Sequence, residues 1–264
     1  MGYAVQWVRS FLFSVQMYVV MPVVAVVYLP WSLFSPYGAL AACHAYARYV
    51  CWCAGWMIGL RTEIRGEVPR GQVMVAAKHQ SFLDILLMWA GIPRGFFVVK
   101  AILRFAPIIG QYAMRIGCIP VNRGRRAEAI KEMLAAVRSG DRAGGQLLIY
   151  PQGTRVAPGA VKPYKVGTFA LYEQLGQPCY PVATNVGVFW PKRGVLRKPG
   201  LGVVEFLEPI QPGLNRETFM ALLEERIETA SNRLMEEAGF PVATQPPVRG
   251  DPVGAAVRET VARD

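Results

Sequence analysis

The chain opens on a long apolar stretch and only later takes on the short alternating segments of a folded domain. From Ser10 to Ala47 there is no Asp, Glu, Lys or Arg. As a helix, Phe11 to Leu29 would measure roughly 28 Å, about one hydrocarbon thickness. Pro22 predicts a kink in that helix, and Pro30 and Pro36 bracket a break. A second apolar stretch, Ala39 to Leu60, carries His44, Arg48, Cys51 and Cys53. Arg48 at a bilayer centre would cost about 2.5–3.5 kcal/mol, so this helix is expected to lie shallow or pack against protein. Residues 1–60 thus read as a two-helix membrane anchor that dips into or spans the bilayer. A buried helical hairpin of a soluble core is the alternative. A cleavable signal peptide fits poorly, because the apolar run is too long and is broken by prolines. Leu40-Ala41-Ala42-Cys43 mimics a lipoprotein cleavage box, but the residues after Cys43 stay apolar where a polar linker would begin.

Beyond residue 60 the pattern shortens. Val73–Ala77, Phe96–Val99, Cys118–Val121, Gln146–Tyr150, Cys179–Ala183 and Gly202–Leu207 read as strands, several of them ending at a cation or a polar loop. Arg125 to Val137 places Ile130, Met133, Leu134 and Val137 at the spacing of an amphipathic helix. Asn215 is placed to cap a helix over Arg216 to Ala238, with Phe219, Leu222, Leu223, Ile227 and Leu234 on its buried side. After Phe240 periodicity stops. The expected organisation is an anchor over 1–60, an α/β domain over 61–240 with its site along one sheet edge, and a loose tail over 241–264.

Composition narrows the class. Apolar residues make up 53% and charged residues 18%, which excludes gross disorder and an ordinary cytosolic surface over the whole length. The net charge of +11 is concentrated in the middle: +2 over residues 1–60, +14 over 61–200 and −5 over 201–264. A basic middle section implies an anionic partner, without choosing between nucleic acid, acidic lipid, phosphorylated substrate or acidic protein. The aromatics Phe82, Trp89, Phe96 and Phe97 sit in apolar segments, not among exposed arginines as a base-stacking platform requires, so nucleic acid is not expected. The five cysteines are irregularly spaced and predict buried thiols, not a disulfide framework.

Few residues remain to carry chemistry. His44 and His79 are the only histidines, and His44 lies in the apolar segment, so no metal site is expected. No G-x-S-x-G elbow, P-loop or G-x-G-x-x-G is present. His79 and Asp84 lie five positions apart, about 140° of rotation on a regular helix, which would point them away from each other. They meet only if His79 precedes the first helical turn and folds back on it. A carboxylate on one imidazole nitrogen then fixes the tautomer and leaves the other nitrogen as a base.

Four blocks in order make the chain resemble the 1-acylglycerol-3-phosphate (lysophosphatidic acid) acyltransferase family. They are His79-Gln80-Ser81-Phe82-Leu83-Asp84, Gly117-Cys118-Ile119-Pro120-Val121-Asn122-Arg123, Tyr150-Pro151-Gln152-Gly153-Thr154-Arg155 and Tyr180-Pro181-Val182-Ala183. The likeness runs over roughly residues 60–207. It departs from the family at Lys78, commonly Asn, and at Asn122 and Gln152, usually acids. These changes bear on substrate orientation and head-group choice more than on the reaction.

The resemblance implies a mixed sheet flanked by helices and a membrane-bound O-acyltransferase that needs no cofactor. His79 would be the general base and Asp84 its orienting partner, with Ser81 a polar first-turn residue and not a nucleophile. Lys100, Arg123 and Arg155 would hold the acceptor phosphate. Gln152, Gly153 and Thr154 would orient substrate, and Lys162 and Lys165 would extend the surface. The partners it implies are acyl-CoA or acyl carrier protein as donor, a lysophospholipid acceptor and membrane lipid. The expected location is the cytoplasmic face of the inner membrane. A related enzyme acting on another lysolipid, such as lyso-ornithine lipid, is the nearest alternative; a non-enzymatic basic membrane-bound module is the more distant one.

Overall fold

The computed structural model describes residues 2–121, 131, 135 and 145–242. The expected helix over Arg125–Val137, the site residues Asn122 and Arg123, and most of the expected tail lie outside the described residues.

Two long helices lead: α1, Tyr3–Phe34, and α2, Pro36–Ile58. The break falls where expected, between Pro30 and Pro36. Pro22 and Pro30 both lie inside α1, and the chain turns only at Ser35, which is extended at φ −150° and ψ 136°. Pro36 is the cause, because its ring disfavours helical backbone at the preceding residue while its own φ suits the first position of the next helix. The Ser35 side chain caps α2 by accepting from the Tyr37 N–H. α2 ends at Gly59, left-handed at φ 71°, and the chain passes straight into β1, Leu60–Arg65, a strand that the apolar reading of Ala39–Leu60 runs into without detecting.

There follow β2 (Val73–Ala77), α3 (Leu83–Gly91), β3 (Gly95–Lys100), a 3-10 turn (Ala101–Phe105), α4 (Ile109–Ile116) and β4 (Ile119–Val121). The chain continues through β5 (Gln146–Ile149), α5 (Gly167–Leu175), β6 (Cys179–Thr184), β7 (Gly200–Phe206) and α6 (Arg216–Glu237). The six strands expected from sequence form within a residue or two of their predicted bounds. Asn215 caps α6 through Thr218 N–H.

The seven strands make one sheet in the order β1-β7-β6-β2-β5-β3-β4. Every pairing is parallel except β6 with β7, so the sheet is mixed, as expected. Residue alternation along β2 divides the core. Val73, Val75 and Ala77 face a cluster with Phe13 of α1, Val50 of α2 and Leu83 and Leu87 of α3, while Met74 and Ala76 face Leu171, Phe219 and Ile227 of α5 and α6. Because β2, β5, β3 and β4 are parallel neighbours, their C-terminal ends share one edge, and the chain gathers its polar residues there.

α1 covers its face without being covered itself. Val19, Val23, Val26 and Val27 are more than half exposed, and the helix is long and apolar enough to cross a membrane. It is tied to the rest of the chain near both ends. Gln6 donates to the carbonyls of Ile58 and Arg197, Tyr112 of α4 donates to Ala25 O, and Arg115 donates to Leu33 O.

Candidate active site

The alternation of β2 carries past its end. Lys78 continues the α6 side with Met74 and Ala76, and His79 continues the α3 side with Ala77. His79 therefore arrives at the start of α3 before the helix begins, which is the arrangement a His-x4-Asp pair needs. Its Nδ1 lies 2.8 Å from Asp84 Oδ1. The other carboxylate oxygen, Oδ2, accepts from the backbone N–H groups of Gln80 at 2.7 Å and Ser81 at 2.8 Å. These amides and the first turn of α3 favour a buried negative charge at this point. With Asp84 fully buried and accepting, the Nδ1 proton sits between the two residues and Nε2 is left to act. Ser81 is fully buried and its Oγ accepts from Leu83 N–H, which assigns it to the turn.

The imidazole is fixed from above as well. The Tyr150 ring stacks on it with centroids 4.0 Å apart and planes 18° from parallel. Tyr150 follows β5, the neighbour of β2, and its hydroxyl is buried without a hydrogen-bond partner among the described residues. Burial, and secondarily the Asp84 charge, push this phenol well above its ordinary range.

After Tyr150 the chain turns tightly. Gly153 N–H donates to Tyr150 O at 2.8 Å, and Gly153 is left-handed at φ 67°. A Cβ there would stand 2.7 Å from Lys165 Nζ, the movable end of an exposed side chain, so it is the left-handed conformation that calls for glycine. Val156 N–H then donates to His79 O at 2.8 Å, which sets Arg155 beside the histidine. Arg155 is half-buried, and its Nη1 reaches Lys192 O at 3.4 Å. Thr154 is half-buried in the same turn, and Lys162 and Lys165 are exposed on the segment that follows. Lys100 is exposed at the end of β3, two strands along from β2, or about 10 Å at ordinary strand spacing.

Gln152 is held inside the protein at this turn. Its side chain is 2% exposed and donates to Glu228 Oε1 of α6 at 3.4 Å and to Lys162 O at 3.3 Å. Any effect of this residue on a substrate therefore passes through the turn that it holds. Sequence reasoning missed Glu228 and the stacking role of Tyr150. Among the described residues no three His, Cys, Asp or Glu side chains gather as a metal site. Cys179 is fully buried, and burial pushes its thiol up, away from nucleophilic use.

A profile described as Acyltransferase matches residues 60–185. Over 165 residues the chain is 30% identical to the 1-acyl-sn-glycerol-3-phosphate acyltransferase of Pseudomonas aeruginosa, covering 59% of this chain and 61% of that one. It is 31% identical to an uncharacterized acyltransferase of Schizosaccharomyces pombe, covering 70% of this chain and 68% of that one. The crystal structure of the 1-acyl-sn-glycerophosphate (LPA) acyltransferase PlsC from Thermotoga maritima superposes with a TM-score of 0.70 at 20% identity. That likeness covers 86% of this chain and 97% of the Thermotoga chain, and it establishes the fold. The chain belongs to the acyltransferase family that includes the 1-acyl-sn-glycerol-3-phosphate acyltransferases.

Proposed function

We propose that this member of the family transfers a fatty acyl group from an acyl thioester to the sn-2 hydroxyl of 1-acylglycerol-3-phosphate, forming phosphatidic acid in phospholipid biosynthesis. The observation that carries the reading is the 2.8 Å contact of His79 Nδ1 with a fully buried Asp84, which leaves Nε2 as a base beside the Arg155 turn.

Nε2 takes the proton of the sn-2 hydroxyl as that oxygen attacks the thioester carbonyl. Asp84 holds the imidazole and stabilises the imidazolium that forms. The tetrahedral intermediate collapses, the C–S bond breaks, and the imidazolium returns its proton to the departing thiolate. A thiol of pKa about 8.5 leaves without a strong acid. No bond to the protein forms at any stage. Arg155 pairs with the acceptor phosphate through its planar fork, Lys100 adds a cation from the end of β3, and Arg123 is assigned the same role. Gly153 and Thr154 shape the turn that receives the head group.

Lipid specificity has support in the leading helices. An apolar cavity of about 140 Å³ lies between α1, α2, α3 and α4, lined by Met21, Tyr46, Phe82, Trp89 and Tyr112, and Phe82 is only three residues past His79. We assign residues 1–60 as the membrane anchor and 61–240 as the catalytic domain, with 241–264 a tail. The contacts of Gln6 and Leu33 keep α1 alongside the domain over its length, so the anchor rests in the bilayer against the domain. The +14 section following a charge-free run supports a domain on the cytoplasmic face of the inner membrane, by the positive-inside bias. The same positive field suits coenzyme A or acyl carrier protein as carrier of the donor thioester, since both are anionic.

The test is acyl transfer by the full-length protein to a panel of purified lysolipids, with His79→Ala beside it. Transfer to lysophosphatidate is expected, with turnover lowered about 10²–10⁴-fold in the variant and acceptor binding kept. Preference for lyso-ornithine lipid would replace the acceptor. A folded His79→Ala protein keeping about a tenth or more of its turnover would remove His79 as the base.

A further inference from the structure

We propose that Lys78 and Glu228 form a positioning couple that locks α6 to the turn carrying His79; the proposal rests on His79 being the base. The side chain of Lys78 is 3% exposed, and its Nζ pairs with Glu228 Oε2 across 150 positions of sequence. The other oxygen of that carboxylate accepts from Tyr164 at 2.9 Å and from Gln152 at 3.4 Å. Glu228 is thus fully engaged by three elements: the end of β2, the turn after β5 and the segment before α5.

Strand alternation explains why such a link acts on the histidine. Residues on either side of His79 point away from it, toward α6. Lys78 meets Glu228, and Gln80 meets Met235 through Nε2 at 3.5 Å while its Oε1 accepts from Gly187 N–H at 3.1 Å. Glu228 and Met235 are seven residues apart, two turns of α6, and so lie on one face. His79 itself is held from the opposite side by Asp84 and Tyr150. The backbone of the base is gripped on one face by α6 and its ring on the other by α3 and β5, so a shift of α6 moves Nε2.

The charges of the cluster are matched. Lys78 supplies one buried cation and Glu228 one carboxylate. Glu224, one turn earlier on α6, has its carboxyl pushed up by burial and by the Glu228 charge, with Lys78 drawing it the other way. A carboxylate at position 152 would face Glu228 at hydrogen-bond distance. The amide of Gln152 donates there instead, which accounts for a neutral residue at this place in the turn.

Full-length protein in detergent, assayed for kcat, KM for lysophosphatidate and thermal unfolding, tests the couple through Glu228→Gln and the double variant Lys78→Met/Glu228→Gln. Glu228→Gln leaves a buried ammonium unpaired, and kcat should fall about tenfold to a hundredfold while KM changes less than about twofold. The double variant removes both charges, so its Tm should return close to that of the wild type, yet kcat should stay roughly tenfold down because the tie to α6 is gone. Recovery of kcat together with Tm in the double variant would overturn the proposal, since the pair would then only balance buried charge. A KM that rises in step with the loss of kcat in Glu228→Gln would overturn it as well. A wild-type chain without acyl transfer, or an active His79→Ala variant, overturns the reading of the site and takes the couple with it.

Discussion

α1 and α6 cover opposite faces of the same sheet and differ in what they turn away from it. α6 buries Phe219, Leu223, Ile227 and Leu234 and, Glu228 apart, turns most of its charged residues outward, as a helix in water does. α1 buries Gln6, Ser10 and Ser32 and exposes a valine-rich surface. Its inward polar groups are not wasted, because Gln6 and Ser10 bond the carbonyls around Arg197. Its outward surface is the costly part, at about 25 cal/mol for each Å² of apolar area left in water. On the anchoring proposed above, the two helices obey one rule in two solvents, with hydrocarbon as the solvent of α1.

The largest effect should come from equivalent truncations in the two helices. Ile227→Ala empties a fully buried site, and its cost should be about 2–5 kcal/mol of stability. Val27→Ala removes atoms from a surface that is 67% exposed and should change stability by less than about 0.5 kcal/mol. The Val23→Asp/Val27→Asp double variant should keep the fold and weaken retention on carbonate-washed membranes. Equal losses of Tm from Ile227→Ala and Val27→Ala, or full membrane retention of the Asp variant, would break the contrast.

The two faces of the sheet also divide the labour at its edge, and Arg155→Ala sharpens that division. Arg155 stands beside His79 and not in the α6 cluster. A charge-assisted contact to phosphate contributes about 1.5–3 kcal/mol, so KM for lysophosphatidate should rise roughly tenfold to over a hundredfold. An acceptor lacking phosphate should lose far less. Equal losses on both acceptors would make Arg155 a structural cation, since its contact with Lys192 O is the bond it would then be serving.

Much of this was legible in the sequence because the determinants are local. β2, β5 and β6 are short runs ended by polar residues, and the His79–Asp84 pair needs only a strand that stops one residue before the histidine. Asn215 announces α6 through a cap three residues long in its reach. The misses have equally physical sources. β1 hides behind apolar sequence, although Gly59 as a left-handed terminator and the alternation of Leu60, Thr62 and Ile64 mark it. Glu228 was beyond reach. It is one glutamate among several on α6, and nothing in the sequence links it to a lysine 150 residues away.

The smallest effect, and one of opposite sign, should come from Tyr150→Phe. The ring of Tyr150 holds the imidazole by stacking, and it lies 6.1 Å from Phe97 in a second stacked pair. Neither contact uses the hydroxyl. That group is buried with no hydrogen-bond partner among the described residues, and the neighbouring Asp84 carboxylate already accepts from His79, Gln80 and Ser81. A buried hydroxyl left unsatisfied costs about 1–3 kcal/mol, whereas a phenyl ring of the same shape carries no such penalty. Tyr150→Phe should therefore stabilise the fold by about 1 kcal/mol, or roughly 2–4 °C in Tm for a chain of this size. The sign separates this position from the α6 face, where Gln80 and Gln152 are bonded and their truncation should lower Tm. A Tm that falls in Tyr150→Phe would mean that the hydroxyl has a partner, and that the polar groups on the two faces of the sheet are held alike.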